Sequence, residues 1–156
     1  MPKIDVVPLP VRQGSLYPAP FHEPCINRIR KALGDAGGLS QFGVNLLRLP
    51  PGAWSSQRHW HSGEDEFVYV LEGEVVLIDD AGEHVLRAGD CAGFPKGDGN
   101  GHHLLNRSGA DALCLEIGSR APGDKVVYSD IDLKIDRADP VYRHKDGTAY
   151  PKRDGA

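Results

Sequence analysis

Across residues 41–117 no apolar stretch runs more than a few residues before glycine, proline, aspartate or asparagine interrupts it. A chain punctuated this often leaves no room for long helices and must build its core from many short strands joined by tight turns. The 19 glycines and 12 prolines serve that punctuation. Strands are predicted at 44–49, 54–61, 66–71, 75–78, 83–87, 91–94, 102–106 and 112–117. Pro50-Pro51-Gly52 stops the first, and Asp79-Asp80-Ala81-Gly82 is a hairpin signal between the fourth and fifth. Eight strands at this spacing predict an all-β sandwich or barrel.

The ends of the chain read differently. Residues 1–22 carry Pro2, Pro8, Pro10, Pro18 and Pro20, which keep the backbone extended, so an edge strand at 4–7 is expected. Ile26, Ile29 and Leu33 fall at helical spacing after Pro24, with Gly34 behind them, and predict one short helix over 24–33. A further strand is predicted at 125–128. Beyond it the chain is too polar for a core of its own, and is expected to drape over the barrel, cross to another subunit or stay mobile. The predicted organisation is an arm and helix over 1–38, a barrel over 39–128 and an extended segment over 129–156, around one core, as suits 156 residues.

Charge and cysteine content exclude several function classes. A net charge of −4 with scattered Lys and Arg offers no basic stripe for nucleic acid and no polybasic arm for a membrane. No apolar run could span a bilayer, and Pro2, Lys3 and Asp5 stand where a signal peptide would need an apolar segment. Cys25, Cys91 and Cys114 are odd in number and far apart, which is not a disulfide framework; a cytoplasmic location is expected.

The chemistry concentrates at His59-Trp60-His61. In a strand, residues two apart share a face, so both imidazoles project into the same space. Glu66 shares a face with Val68 and Val70, leaving Phe67, Tyr69 and Leu71 opposite; His102 shares a face with Leu104 and Asn106, leaving His103 opposite. Charged groups aimed into an apolar interior are expensive unless they are paired or coordinate a metal. Imidazole nitrogen with carboxylate oxygen suits Fe, Mn, Ni, Co or Zn as a divalent ion, and argues against calcium.

Glu64 and Asp65, in the turn before Glu66, are expected to be solvated, and Arg58 and Trp60 to face away from the ligands. His22, His84 and His144 read as ordinary exposed residues. Cys91 is a candidate for the cavity wall, and Tyr69 and Asn106 for the groups behind the ligands.

The spacing of Gly52, His59, His61, Glu66 and Gly73, then Gly89, Pro95, Gly97, His102 and Asn106, resembles the two conserved motifs of the cupin superfamily. This sequence has one extra residue between Gly52 and His59 and two between Gly97 and His102. The second insertion lets the last ligand slip to His103, although parity and the spacing to Asn106 favour His102. The resemblance implies a single antiparallel jelly-roll barrel in which His59, His61, Glu66 and His102 match the family's metal ligands, with one divalent first-row transition metal ion per chain.

Cupins include dioxygenases, isomerases, lyases, decarboxylases and metal-free sugar binders. The layout is similar to small bacterial cupins labelled sugar-phosphate-isomerase-like. The resemblance therefore implies an enzyme acting on a small oxygen-bearing substrate at an open metal position. The alternative is a non-catalytic small-molecule or sugar-binding cupin with a structural metal. For a phosphate, the sequence offers as cradle only the turn 97–101 with Lys96. The apolar outer face at Phe67, Tyr69 and Leu71 predicts a homodimer.

Overall fold

The computed structural model describes residues 3–153, so the outermost residues of both predicted arms, 1–2 and 154–156, lie outside it. In chain order the elements are β1 (Arg12–Gln13), a 3-10 turn (Glu23–Cys25), β2 (Ile29–Ala32), α1 (Leu33–Ala36), β3 (Phe42–Leu49) and β4 (His59–His61). There follow β5 (Glu66–Glu72), β6 (Glu74–Asp79), β7 (Gly82–Arg87), β8 (Cys91–Phe94) and β9 (His103–Leu105). The last four are β10 (Ala112–Ser119), β11 (Lys125–Tyr128), β12 (Lys134–Asp136) and β13 (Asp139–Arg143).

These strands make two facing antiparallel walls. One is a six-stranded sheet in the order β1-β2-β3-β10-β5-β8. The other is assembled from β13-β12-β11-β4 and β7-β6-β9, tied together by bridges between His59 and His102 and between Trp54 and Leu105. The expected all-β jelly-roll architecture is the one observed.

Alternation along β5 sorts its side chains as parity requires: Val68 and Val70 are buried, whereas Phe67, Tyr69 and Leu71 are each 38% exposed on the outer face. The inner residues pack with Leu47, Leu49, Val75, Leu77, Leu104 and Cys114 into an aliphatic core. At Gly73, between β5 and β6, φ is +77° and a Cβ would lie 2.7 Å from the Asp111 carbonyl oxygen, so only glycine lets the chain reverse there. The hairpin of β6 and β7 forms as predicted, with Asp79 Oδ1 accepting from the backbone N–H groups of Ala81 and Gly82.

The ends depart from expectation. No helix spans 24–33; a 3-10 turn gives way to β2, and the only α-helix among the described residues is the four-residue α1. An isolated helix of ten residues is marginal, whereas β2 zips along β3 from Ile29↔Arg48 to Ala32↔Asn45 and covers its open edge. No strand forms at 4–7, where Pro8 and Pro10 follow; the Val6 and Val7 carbonyls instead accept hydrogen bonds from Lys31 Nζ. The strand predicted at 54–61 shrinks to β4 and one bridge at Trp54.

The C-terminal segment forms β12 and β13 and closes a second, aromatic cluster. Tyr17, Cys25, Val126, Tyr128 and Leu133 are buried there, with Phe21, Tyr142 and Tyr150 packed against them. The segment finds its core by sharing it with the N-terminal arm.

Candidate metal centre

The two walls face each other across a cavity of about 310 Å³, and His59, His61, Glu64, Glu66 and His102 all line it. His59 and His61 come from β4, with the ring of Trp60 between them in sequence and pointing away by alternation. Glu66 opens β5 on the opposite wall, and His102 stands just before β9.

From these positions three imidazoles converge on one oxygen. Glu66 Oε2 lies 3.0 Å from His102 Nε2, 3.4 Å from His61 Nε2 and 3.7 Å from His59 Nε2. None of these approaches has the alignment of a hydrogen bond, so Glu66 Oε2 is a buried oxygen without a hydrogen-bond partner. Donor atoms of His59, His61 and Glu66 lie within 4.8 Å of one another, close enough to share one cation.

The far side of each ring is held differently. His59 Nδ1 donates to the Gln57 carbonyl oxygen at 2.9 Å, and His61 Nδ1 to Asp124 Oδ2 at 2.6 Å. Both contacts keep the proton on Nδ1 and leave the Nε2 lone pair facing the cavity. His102 Nδ1 has no partner; its ring is instead stacked on Phe94, with centroids 3.5 Å apart and planes 1° from parallel.

Burial fixes the charges. It pushes His59 down to about 3, against the pull of Glu66, so His59 is neutral at pH 7. Burial would raise Glu66, but the surrounding His102, His59 and His61 outweigh it and hold its carboxyl below the usual range, so Glu66 is ionised. A neutral His59 and an ionised Glu66 are the protonation states a divalent cation requires of those two ligands.

His103 is not part of this group. Its ring meets Trp54 edge-on at 4.6 Å, and its Nδ1 lies 3.0 Å from the Ser56 carbonyl oxygen. Of the two neighbours it is His102 that approaches Glu66, as parity favoured.

Of the other expectations, those for His84 and Arg58 hold and several others are overturned. Glu64 is not solvated: its side chain is 11% exposed, it stands 3.6 Å from His61 Nδ1, and burial raises its carboxyl above the ordinary value. Tyr69 is on the outer face, Cys91 is exposed, and neither lines the cavity. Asn106 is fully buried but spends its amide on the Leu49 and Ala110 carbonyls, bracing a turn. The turn 97–101 and Lys96 also stand away from the cavity wall. His84 is exposed beside Asp79, while His22 and His144 are only half exposed, His144 pairing with Asp132. Arg58 faces outward to Asp80 and Asp130.

The residue that reading by motif missed is Asp124. It lies between β10 and β11, is 1% exposed, and binds His61 with one oxygen and the Gly63 N–H with the other. Its only trace in the sequence is an acidic residue directly before a predicted strand.

Comparison with known proteins follows the same outline. The family model described as Cupin domain matches residues 45–118. No curated protein matches the chain. Among solved structures, a sugar phosphate isomerase from a cupin superfamily, from Silicibacter pomeroyi, is 49% identical; the match covers 96% of this chain and 97% of that one with a TM-score of 0.91. A structure from Acidithiobacillus ferrooxidans, provisionally named sugar phosphate isomerase, is 30% identical over 81% of this chain and 82% of that one, with a TM-score of 0.72. A predicted oxalate decarboxylase from Thermotoga maritima is 26% identical over 60% of this chain and 81% of its own, with a TM-score of 0.52. No helix among the described residues is long and apolar enough to cross a membrane.

Proposed function

We propose, from the premise that this chain belongs to the cupin superfamily, that it is an enzyme holding one divalent first-row metal ion on His59, His61, Glu66 and His102. Its substrate is a small oxygen-bearing molecule, and its reaction is of the sugar phosphate isomerase type. The observation that carries the reading is the buried, unpartnered Glu66 oxygen with three imidazole nitrogens within 3.7 Å of it. Left empty, that arrangement strands an anion in a cavity wall; a divalent cation satisfies it. The names of the two more similar relatives support the isomerase type.

When bound, the ion supplies Lewis-acid polarisation of a substrate oxygen. The chain supplies the rest. Gln57 and Asp124 hold the rings of His59 and His61 in the ligating tautomer, and Phe94 fixes the plane of His102.

Three carboxylates line the cavity. Glu116 is bound by both nitrogens of an arginine fork, and Glu66 stands among the imidazoles. Glu64 is left to take and return the proton that an isomerisation moves, and burial raises its carboxyl above the ordinary value, the direction a general base needs.

Elemental analysis of native protein should find about one metal per chain, as the four-ligand site requires, and His61→Ala should lose it. Chelation should abolish turnover on a panel of aldose and ketose phosphates, and Glu64→Gln should lower turnover while retaining the metal. Stoichiometric metal in His61→Ala sinks the site assignment. Full metal with no turnover on any carbonyl substrate leaves the binding-protein alternative.

The working unit is a homodimer. Phe67, Tyr69 and Leu71 are joined on the outer face of the six-stranded wall by Phe42, 41% exposed, and the fit of such a face is to a second copy. Light scattering should return twice the 16.9 kDa chain mass.

A further inference from the structure

The cavity that holds the imidazole cluster has a second, cationic end. Arg28 is 9% exposed, the only arginine among the described residues that counts as buried. Its Nε donates to the Gly14 carbonyl oxygen at 2.8 Å and one terminal nitrogen donates to the Ser55 carbonyl oxygen. The other terminal nitrogen donates to no described group, and no carboxylate among the described residues pairs with it.

Arginines that are less buried are treated otherwise. Arg58 is bound by Asp80 and Asp130, Arg107 by Glu83, and Arg143 by Asp139. The most buried arginine residue is one without a carboxylate partner among the described residues.

Its neighbour sharpens the imbalance. Arg30 also reaches the Ser55 carbonyl oxygen, at 3.2 Å, so two guanidinium groups converge on one acceptor. Arg30 is neutralised by a two-pronged pair with Glu116, 2.6 Å at each contact. Two positive charges therefore stand beside one negative charge in the cavity wall.

Bracing the carbonyls of Gly14 and Ser55 would need hydrogen-bond donors only. It would not need a full charge, whose burial is costly without a partner. From Arg28 to the imidazoles the wall is aromatic: the guanidinium lies 5.7 Å from the Tyr17 ring, Tyr17 meets Tyr128 edge-on at 5.5 Å, and Tyr128 lies 5.7 Å from the His59 ring.

We infer that Arg28, with Arg30 beside it, is the oxyanion-recognising end of the cavity, and that the substrate carries an ionised phosphate or carboxylate group seated there while another of its oxygens faces the imidazole cluster. The orientation of that substrate rests on the metal-centre reading above; the anion site does not. The free terminal nitrogen of Arg28 offers such a group a charged hydrogen-bond donor, the stronger kind for an ionised oxygen.

The test uses the full chain stripped of metal by chelator, so that no anion can be held by an ion, and titrates inorganic phosphate and, separately, acetate by calorimetry. Saturable binding is expected, weaker in Arg28→Gln by about tenfold or more, as loss of a charged donor implies, and partly restored in Arg28→Lys. Tighter phosphate names a phosphate ester, and tighter acetate a carboxylate; either supports the inference if Arg28→Gln weakens it. Equal affinity in wild type and Arg28→Gln, or no binding by wild type, overturns it. Should Arg28→Gln fail to fold, a crystal of the wild type grown with phosphate decides. An oxygen within hydrogen-bond distance of Arg28 supports the inference, and phosphate elsewhere or nowhere overturns it. Failure of the metal-centre reading would appear separately, as native protein without metal but with Arg28-dependent phosphate binding.

Discussion

Leu47 in the barrel core and Leu133 in the aromatic cluster are both completely buried, yet their surroundings are assembled in different ways. Around Leu47 stand Leu49, Val68, Val70 and Val75, aliphatic side chains delivered by alternation along strands of one continuous stretch. Around Leu133 stand Tyr17, Cys25 and Tyr128, with Tyr142 and Tyr150, brought together from opposite ends of the chain. The first environment follows from the two-residue period of a strand. The second depends on closing a loop of most of the chain, and its packing is supplied by rings and turns rather than by a repeating pattern. The cavity lies where the two meet, taking its imidazoles from one side and Tyr17, Tyr128 and Tyr142 from the other.

The comparison can be broken first by truncation. Leu47→Ala should cost about 3 kcal/mol in urea unfolding, because a rigid sheet core cannot collapse into the cavity left behind. Leu133→Ala should cost less, about 2 kcal/mol, since turns and short strands around it relax more easily. Equal costs would mean that the aromatic cluster is as rigid as the barrel.

Asp124 belongs to the connection into β11 and so ties the aromatic side to His61. Asp124→Asn can turn its amide toward Nδ1 and drive the imidazole into the wrong tautomer. Metal affinity should then fall by roughly 10–100-fold with the fold retained, the usual cost of losing such a partner. Unchanged affinity in a competition titration would leave the second region as packing alone.

Titration of the metal-free chain should separate the two regions by pH. On the imidazole side, His59 has its pKa lowered from 6.5 to about 3, so the stability this contributes is complete above pH 6.5 and is lost as pH falls toward 3. The slope from that group is about 1.4 kcal/mol per pH unit. On the aromatic side, burial pushes Tyr142 from 10.0 up to about 12, with Tyr17 and Tyr128 also raised. Stability from Tyr142 is complete below pH 10 and is lost as pH rises toward 12. Urea midpoints that fall at both extremes, with histidine replacement flattening only the acid limb, sharpen the distinction; a single common limb dissolves it.

What was legible in the sequence follows the same division. His59, His61 and Glu66 could be placed on inward faces because strand parity and motif spacing are local, and the structure brings them together with His102. Arg28 and Arg30 could not, because their stretch has helical spacing and because a pattern that puts apolar residues inside does not look for a guanidinium there. Asp124 was invisible for a related reason: its partner lies 63 residues away, across a pairing of β11 with β4 that no short-range pattern reports. Glu64 was misplaced because a polar turn usually faces water, whereas this one folds back under the Ala121 N–H.

Glu66 is carried by one wall of the jelly roll, and His59, His61 and His102 by the other. The cluster therefore works as a caliper across the mouth of the barrel. Any change that spreads the walls, however far from the cavity, alters the gap between the carboxylate and the imidazoles before it alters either wall. The coordination geometry of an ion held there, read by its spectrum, would report strain in the scaffold as sensitively as it reports chemistry.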